Sequence, residues 1–394
     1  MVAPTEDFLP KILGYGGQSV GEMDISAVAD VLAADYLTTG PRVEMFEALL
    51  CEITGSRHCI ACASGTAALH LSCMALGIGR EEVGLTSPIS FLASANCIEY
   101  CDGRTDFIDI DPETLCLSPQ HLDAYCRKHK APRVVIPVDF AGLGADLPAM
   151  AELSKTYGFS LIEDAAHALG SFYEFDGRQY ACGSCTHTDA AIFSFHPVKT
   201  ITTGEGGAVM TNDARLADRV RCLRNHGMER YDDLLRQHGG WVYEMNSLGF
   251  NYRITDIQCA LGISQLSRLD QFRNRRRQIV SNYNNAFSDR DDLLLPHKNL
   301  ALTACPHLYP IRLKAGAAKR RQVYETLKAD NILCQVHYIP IYRQPYYAAK
   351  YGYPKGKCPD AELYYSQTLS LPLFPAMSDH DMLRVIDRFR IALG

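Results

Sequence analysis

A single lysine, Lys199, follows the apolar run Ala191-Ile192-Phe193-Ser194-Phe195 and precedes the cluster Thr202-Thr203-Gly204-Glu205-Gly206-Gly207. An amine delivered by a buried strand is desolvated, which lowers its pKa and makes it a nucleophile toward carbonyl carbon. Standing alone it reads equally well as a solvated loop lysine, so its neighbours must decide. Upstream, Leu161-Ile162-Glu163-Asp164-Ala165-Ala166-His167 sets two acids at a strand end. Successive strand residues face opposite ways, so one of the two carboxylates enters a cleft and the other does not. A carboxylate there can hold a protonated heteroaromatic nitrogen and deepen the ring's capacity as an electron sink. His167 is spaced to lie against the face of such a ring. Asp164 and His167 lack a third nearby ligand, so no metal is expected.

Two further stretches suit an anion. Ala63-Ser64-Gly65-Thr66-Ala67 lies between a strand and a helix. Gly65 allows close backbone approach, Thr66 is a candidate N-cap, and the free N–H groups of the first helical turn accept a phosphate. Ser194, five residues before Lys199, adds a hydroxyl to the same phosphate. Gly249-Phe250-Asn251-Tyr252-Arg253-Ile254-Thr255-Asp256 ends a loop with an amide and a guanidinium almost adjacent, Asn251 and Arg253, either able to reach a phosphate across a subunit boundary. A phosphate cradle, an acid for a ring nitrogen and an amine that can form an imine are the parts that pyridoxal phosphate requires, and that cofactor is expected.

The elements that must position these residues alternate along the chain. Apolar runs at 58–62, 83–86, 105–110, 133–138, 160–162, 190–195 and 207–211 read as strands, and 66–76, 91–100, 118–129 and 147–157 as helices between the earlier ones. Short apolar strands separated by amphipathic helices give an α/β fold with a mostly parallel central sheet covered on both faces. Ligands bind outside the carboxyl ends of such strands, where Ser64, Asp164 and Lys199 fall. Residues 24–35 are expected to form a helix capped by Asp24, and a second helix buries Val43, Phe46, Leu49 and Leu50. After a helix at 212–225 comes a polar loop, 226–249, with the only tryptophan, Trp241. Beyond a helix at 255–266, Arg268, Arg273, Arg275, Arg276 and Arg277 read as the solvated face of a helix joining two domains. From about residue 293 the texture is α+β, with strands at 307–313 and 333–337 and helices at 317–330 and from 378. The expected domains are 1–266 and a smaller 267–394.

Composition excludes several classes. A net charge of −6 offers no footprint for nucleic acid. No run of eighteen apolar residues suggests a membrane span, and the first residues lack the pattern of a signal peptide, so a cytoplasmic protein is expected. Most of the fifteen cysteines lie in apolar strings, where cysteine acts as a small hydrophobe. The pairs Cys59/Cys62 and Cys182/Cys185 are far apart in sequence, and the first runs along a strand, so neither zinc nor a redox role is expected.

Ser64-Gly65-Thr66-Ala67-Ala68-Leu69, Glu163-Asp164-Ala165-Ala166-His167-Ala168, Phe193-Ser194-Phe195-His196-Pro197-Val198-Lys199 and Gly204-Glu205-Gly206-Gly207 resemble the nucleotide-sugar aminotransferases of the DegT/DnrJ/EryC1/StrS family. The resemblance implies the fold-type I pyridoxal phosphate-dependent transferase architecture and a homodimer with active sites at the interface. It implies Lys199 as the Schiff-base lysine, Asp164 as the partner of the ring nitrogen and His167 against the cofactor. Gly65, Thr66 and Ser194 match phosphate contacts, and Phe91 matches the aromatic that stacks on the ring. Asn251 or Arg253 matches a contact from the partner subunit. Pro88-Ile89-Ser90-Phe91, His307-Leu308-Tyr309-Pro310-Ile311 and Val336-His337-Tyr338-Ile339-Pro340 look like the subgroup serving pseudaminic acid biosynthesis. That implies L-glutamate as donor and a UDP-linked 4-keto sugar as acceptor. Tyr15, His337 and Tyr338 are the candidates for substrate-side contacts.

Overall fold

The computed structural model describes residues 12–394. Seven strands form the central sheet: β1 (His58–Cys62), β2 (Val83–Thr86), β3 (Arg104–Phe107), β4 (Val134–Ile136), β5 (Ser160–Asp164), β6 (Ala190–Ser194) and β7 (Gly207–Thr211). Their spatial order is β1-β7-β6-β5-β4-β2-β3. All pairings are parallel except those of β7, which runs antiparallel to both β1 and β6. The strands are apolar on both sides because both faces are covered. Ile60, Cys62, Ile162, Ile192 and Val209 enter one hydrophobic core, while Cys59, Ala61, Leu161, Phe193 and Met210 enter the other.

Register brings the chemistry-bearing ends together. Asp164 stands opposite Ile192, and Ser194 opposite Gly207, which in turn faces Cys62. The carboxyl ends of β1, β5 and β6 and the start of β7 therefore share one edge. The helix Gly65–Ala75 starts there, capped by Ser64, whose Oγ accepts from Ala67 N at 3.1 Å. Ser64, not Thr66, is the cap, because it alone has the extended backbone that aims its oxygen at the first turn. A Cβ on Gly207 would lie 2.4 Å from the Ser64 carbonyl, so glycine there lets the turn rest on β7.

The carboxyl-terminal part contains a three-stranded antiparallel sheet of Leu293–Leu294, Tyr309–Leu313 and Thr368–Leu371. The helices Leu269–Phe287, Ala317–Ala329 and Asp379–Leu393 share its core. The strand expected over 333–337 is only Ile332–Leu333, and it pairs in parallel with Leu13–Gly14. Gln335 instead makes one bridge to Ser370, and the following residues turn toward the large sheet. Other expectations also change in detail. Gly21 caps the helix Glu22–Leu32, and Asp24 is buried, accepting from Gly21 N, Ser264 Oγ and Gln265 Nε2 and pairing with Arg268. The basic helix is not a uniformly solvated face, since Arg276 is fully buried. Cys59, Cys62, Cys182 and Cys185 are buried free thiols. Among the described residues no helix is long and apolar enough to cross a membrane.

Candidate active site

A cavity of about 590 Å³ opens at the carboxyl edge of the sheet. Of the expected site residues, Gly65, Thr66, Phe91, Asp164, His167, Ser194, Lys199, Tyr15, His337 and Tyr338 all line it. Asn251 and Arg253 do not. Asn251 is exposed and pairs with Asn225, whose Oδ1 accepts from Arg253 Nη1 at 2.6 Å. Tyr252 between them turns inward, its carbonyl accepting from Ala63 N at 2.8 Å.

The phosphate-sized end is the first turn of Gly65–Ala75. The Ser64 cap takes the Ala67 N–H, which leaves the N–H groups of Gly65 and Thr66 without intrahelical acceptors. A Cβ on Gly65 would lie 2.8 Å from Ser194 Cβ and 3.2 Å from its Oγ, so only glycine brings this turn against β6. The helix dipole and the Ser194 hydroxyl thus converge on one small volume suited to an anion.

Across the cavity, Asp164 ends β5. Its Oδ2 accepts from Ser94 Oγ at 2.6 Å and its Oδ1 from Ala166 N at 3.2 Å. Burial raises its pKa, and the Ser94 bond, the Ala166 bond and the Lys199 charge oppose the rise. The neighbouring acid faces away, as strand alternation requires. Glu163 receives Gly183 N on both oxygens behind the sheet. Lys199 sits in the turn after β6, its N–H bonded to the His196 carbonyl at 2.9 Å. Burial pushes its amine down to about 8, with the Asp164 carboxylate pulling the other way.

Histidines form one wall. The His167 and His307 rings are 4.4 Å apart between centroids, and Tyr338 Oη lies 3.4 Å from His167 Nε2. Burial holds both imidazoles well below the usual histidine value, with Lys199 a further cause for each, so both are neutral. Nδ1 of each is buried without a protein partner. His337 is held by Ser370 Oγ at 2.9 Å from its Nδ1, and its ring meets the Tyr15 ring at 4.9 Å. Phe91 is 58% exposed, with its ring 6.5 Å from that of Tyr338.

Four contributors escaped sequence reasoning. Ser90 and Ser94 form a hydroxyl pair at 2.6 Å behind Asp164, and His307 backs His167. Arg276 reaches the Lys199 carbonyl from a helix 77 residues away. The i, i+4 spacing of the serines was visible, but nothing local marked it.

Residues 18–390 match the DegT/DnrJ/EryC1/StrS aminotransferase family. The chain belongs to that family. The spore coat polysaccharide biosynthesis protein SpsC of Bacillus subtilis is 36% identical over 394 residues, covering 99% of this chain and 98% of that protein. Among solved structures, Helicobacter pylori PseC, an aminotransferase involved in the biosynthesis of pseudoaminic acid, is 30% identical with a TM-score of 0.88. That likeness covers 97% of this chain and 99% of PseC. The aminotransferase TlmJ from Streptoalloteichus hindustanus is 31% identical with a TM-score of 0.86, covering 97% and 98%. The protein is therefore a sugar aminotransferase of fold-type I. Its cofactor is pyridoxal phosphate. The orphaned Nδ1 of His167, the cradle that a Cβ on Gly65 would fill and the opposed amine and carboxyl all fit that group.

Proposed function

We propose that this enzyme moves the amino group of L-glutamate to C4 of UDP-2-acetamido-2,6-dideoxy-β-L-arabino-hex-4-ulose, a step of pseudaminic acid biosynthesis. The observation that carries the reading is the likeness to PseC over 97% of the chain. Bound pyridoxal phosphate supplies the electron sink that makes the α-proton of the donor removable. The protein does the rest. Gly65 and Thr66 N–H and Ser194 Oγ hold the phosphate, and Asp164 keeps the ring nitrogen protonated. Phe91 and His167 flank the ring. Lys199 would hold the cofactor's aldehyde carbon, and its free Nζ would take the proton from the donor Cα. With its amine at about 8, a useful fraction is neutral near physiological pH and able to accept that proton. The keto sugar is aminated by the same residues acting in reverse. Tyr15, His337 and Tyr338 meet the substrates.

The working form in this reading is a cytoplasmic homodimer. Asn251 or Arg253, both outside their own chain's cavity, contacts the phosphate in the partner's site. Exposed Trp241, Met245 and Leu248 offer apolar surface suited to burial against a second copy. A second reading keeps the chemistry and changes the acceptor to another 4-keto or 3-keto nucleotide sugar; the 36% identity to SpsC favours it. A panel of UDP- and dTDP-linked keto sugars, assayed with glutamate and with product stereochemistry read by NMR, separates the two. Preference for a dTDP sugar overturns the first reading. No amination of any sugar overturns both and leaves a non-catalytic protein on the same scaffold.

A further inference from the structure

Arg276 lies in the middle of the helix Leu269–Phe287, on the stripe formed by Phe272, Ile279, Val280, Tyr283 and Phe287. An arginine at 0% exposure on an apolar stripe is a costly choice. Among the described residues no carboxylate pairs with it. Its partners are backbone carbonyls instead. Nη1 donates to Leu373 O at 3.0 Å, Pro306 O at 3.2 Å and His307 O at 3.4 Å, and Nη2 to Lys199 O at 3.4 Å. Burial pushes the guanidinium down to about 10, which leaves it charged at neutral pH.

The four carbonyls belong to three separate segments, and two of them, those of Lys199 and His307, come from residues that line the cavity. Lys199 is the catalytic turn itself. Pro306 and His307 lead into the strand Tyr309–Leu313 and set the ring that packs, tilted by 42°, against His167. Leu373 follows the strand Thr368–Leu371, and its N–H holds the Tyr15 carbonyl at 3.0 Å. The guanidinium spreads these bonds over two separated nitrogens, Nη2 to Lys199 and Nη1 to the other three carbonyls, whereas an ammonium donates from a single nitrogen and an apolar side chain not at all.

We infer that Arg276 is a positioning residue that seats the Lys199 turn and locks it to the segment carrying His307 and to the Leu373 segment that holds Tyr15. It does not touch substrate or cofactor. The inference rests on Lys199 being the residue that links the cofactor.

The test compares Arg276→Lys, Arg276→Met and Arg276→Ala with the wild type, and uses Arg275→Met as a control. Arg275 carries the same charge on the same helix but pairs outward with Asp379 at 2.8 Å. The first readout is the rate at which the apo-protein forms its borohydride-reducible link with added pyridoxal phosphate. The second is the split between kcat and the KM for glutamate, and the third is rescue of Arg276→Ala by guanidinium ion. In folded Arg276→Lys the linking rate and kcat are expected to fall about tenfold or more, with KM changed less than about threefold. Guanidinium is expected to restore much of the loss in Arg276→Ala and none in Lys199→Ala, while Arg275→Met matches the wild type. A folded Arg276 variant with wild-type linking rate and kcat overturns the inference. So does the failure of all three variants to fold, which makes Arg276 purely structural. If the wild type itself forms no reducible link at Lys199, it is the proposed function that fails.

Discussion

Ser94 Oγ donates to Asp164 Oδ2 at 2.6 Å, and Ser90 Oγ stands 2.6 Å behind it. The hydroxyl pair feeds a proton donor to a carboxylate whose pKa burial would otherwise raise further. Ser94→Ala removes the largest opposing influence, so the Asp164 carboxyl titrates at higher pH. The acid limb of the kcat/KM profile should move up by about one pH unit, the weight of one hydrogen bond to a charged group. A pH–rate profile with an unmoved acid limb would show that Asp164 does not govern it.

Lys199→Ala should abolish the borohydride-reducible visible band and lower turnover by about 10³-fold. In the wild-type apo-protein the amine reacts only when neutral. Its rate of trapping with pyridoxal phosphate and borohydride should therefore climb as pH rises through about 8. Peptide mapping of the reduced adduct should find the label on Lys199. Label on another lysine would remove Lys199 from its role.

Gly65→Ala sets a methyl 2.8 Å from Ser194 Cβ, so helix and strand must part. The expected cost is about 1–3 kcal/mol of stability, with weaker cofactor retention because the two elements proposed to hold the phosphate separate. Thermal unfolding of the apo-protein and fluorescence titration with pyridoxal phosphate measure the two effects. An unchanged cofactor affinity would place the phosphate elsewhere.

Behind the sheet, the carboxyl oxygens of Asp139 and Glu163 lie within 4.8 Å of each other and of Cys182 Sγ. Burial pushes Asp139 up to about 6 and Glu163 well above its usual value, and their mutual interaction adds to the rise for Glu163. The folded protein thus keeps protons that the unfolded chain, with carboxyls near 4, has released. Stability from this pair is present at low pH and is lost as pH rises from about 4 through 6. Glu163→Gln supplies an amide donor to Asp139 while its oxygen takes the Gly183 N–H. Its melting temperature should depend less on pH between about 5 and 8 than that of the wild type. Parallel melting curves for the two proteins across that range would refute the retention of protons by this pair.

Much of the large sheet was legible because its strands are short apolar runs, and the alternation of Glu163 and Asp164 already meant that only one of the two acids enters the cavity. Local capping was harder. Thr66 and Asp24 are both good capping residues by type, but backbone conformation gave the caps to Ser64 and Gly21. The least visible parts are contacts across long sequence separations. Arg276 looked like one of five basic residues, although it falls on the same helical stripe as Phe272, Ile279 and Tyr283. Ser94 meets Asp164 70 residues away, and His307 meets His167 across a gap twice as long. Such pairs depend on how two elements dock, which hydrophobic periodicity does not encode.

The short pairing of Leu13–Gly14 with Ile332–Leu333 has a consequence for traffic through the cavity. Donor and acceptor of a transamination occupy one chamber in alternation, so each must leave before the other enters. Tyr15, directly after that pairing, belongs to the chamber's rim yet is tethered to the carboxyl-terminal strands. Any swing of those strands carries the rim with it. The segment Leu13–Tyr15 thus works as part of the door frame, and removing its pairing residues would loosen the entrance while leaving the lysine and its carboxylate in place.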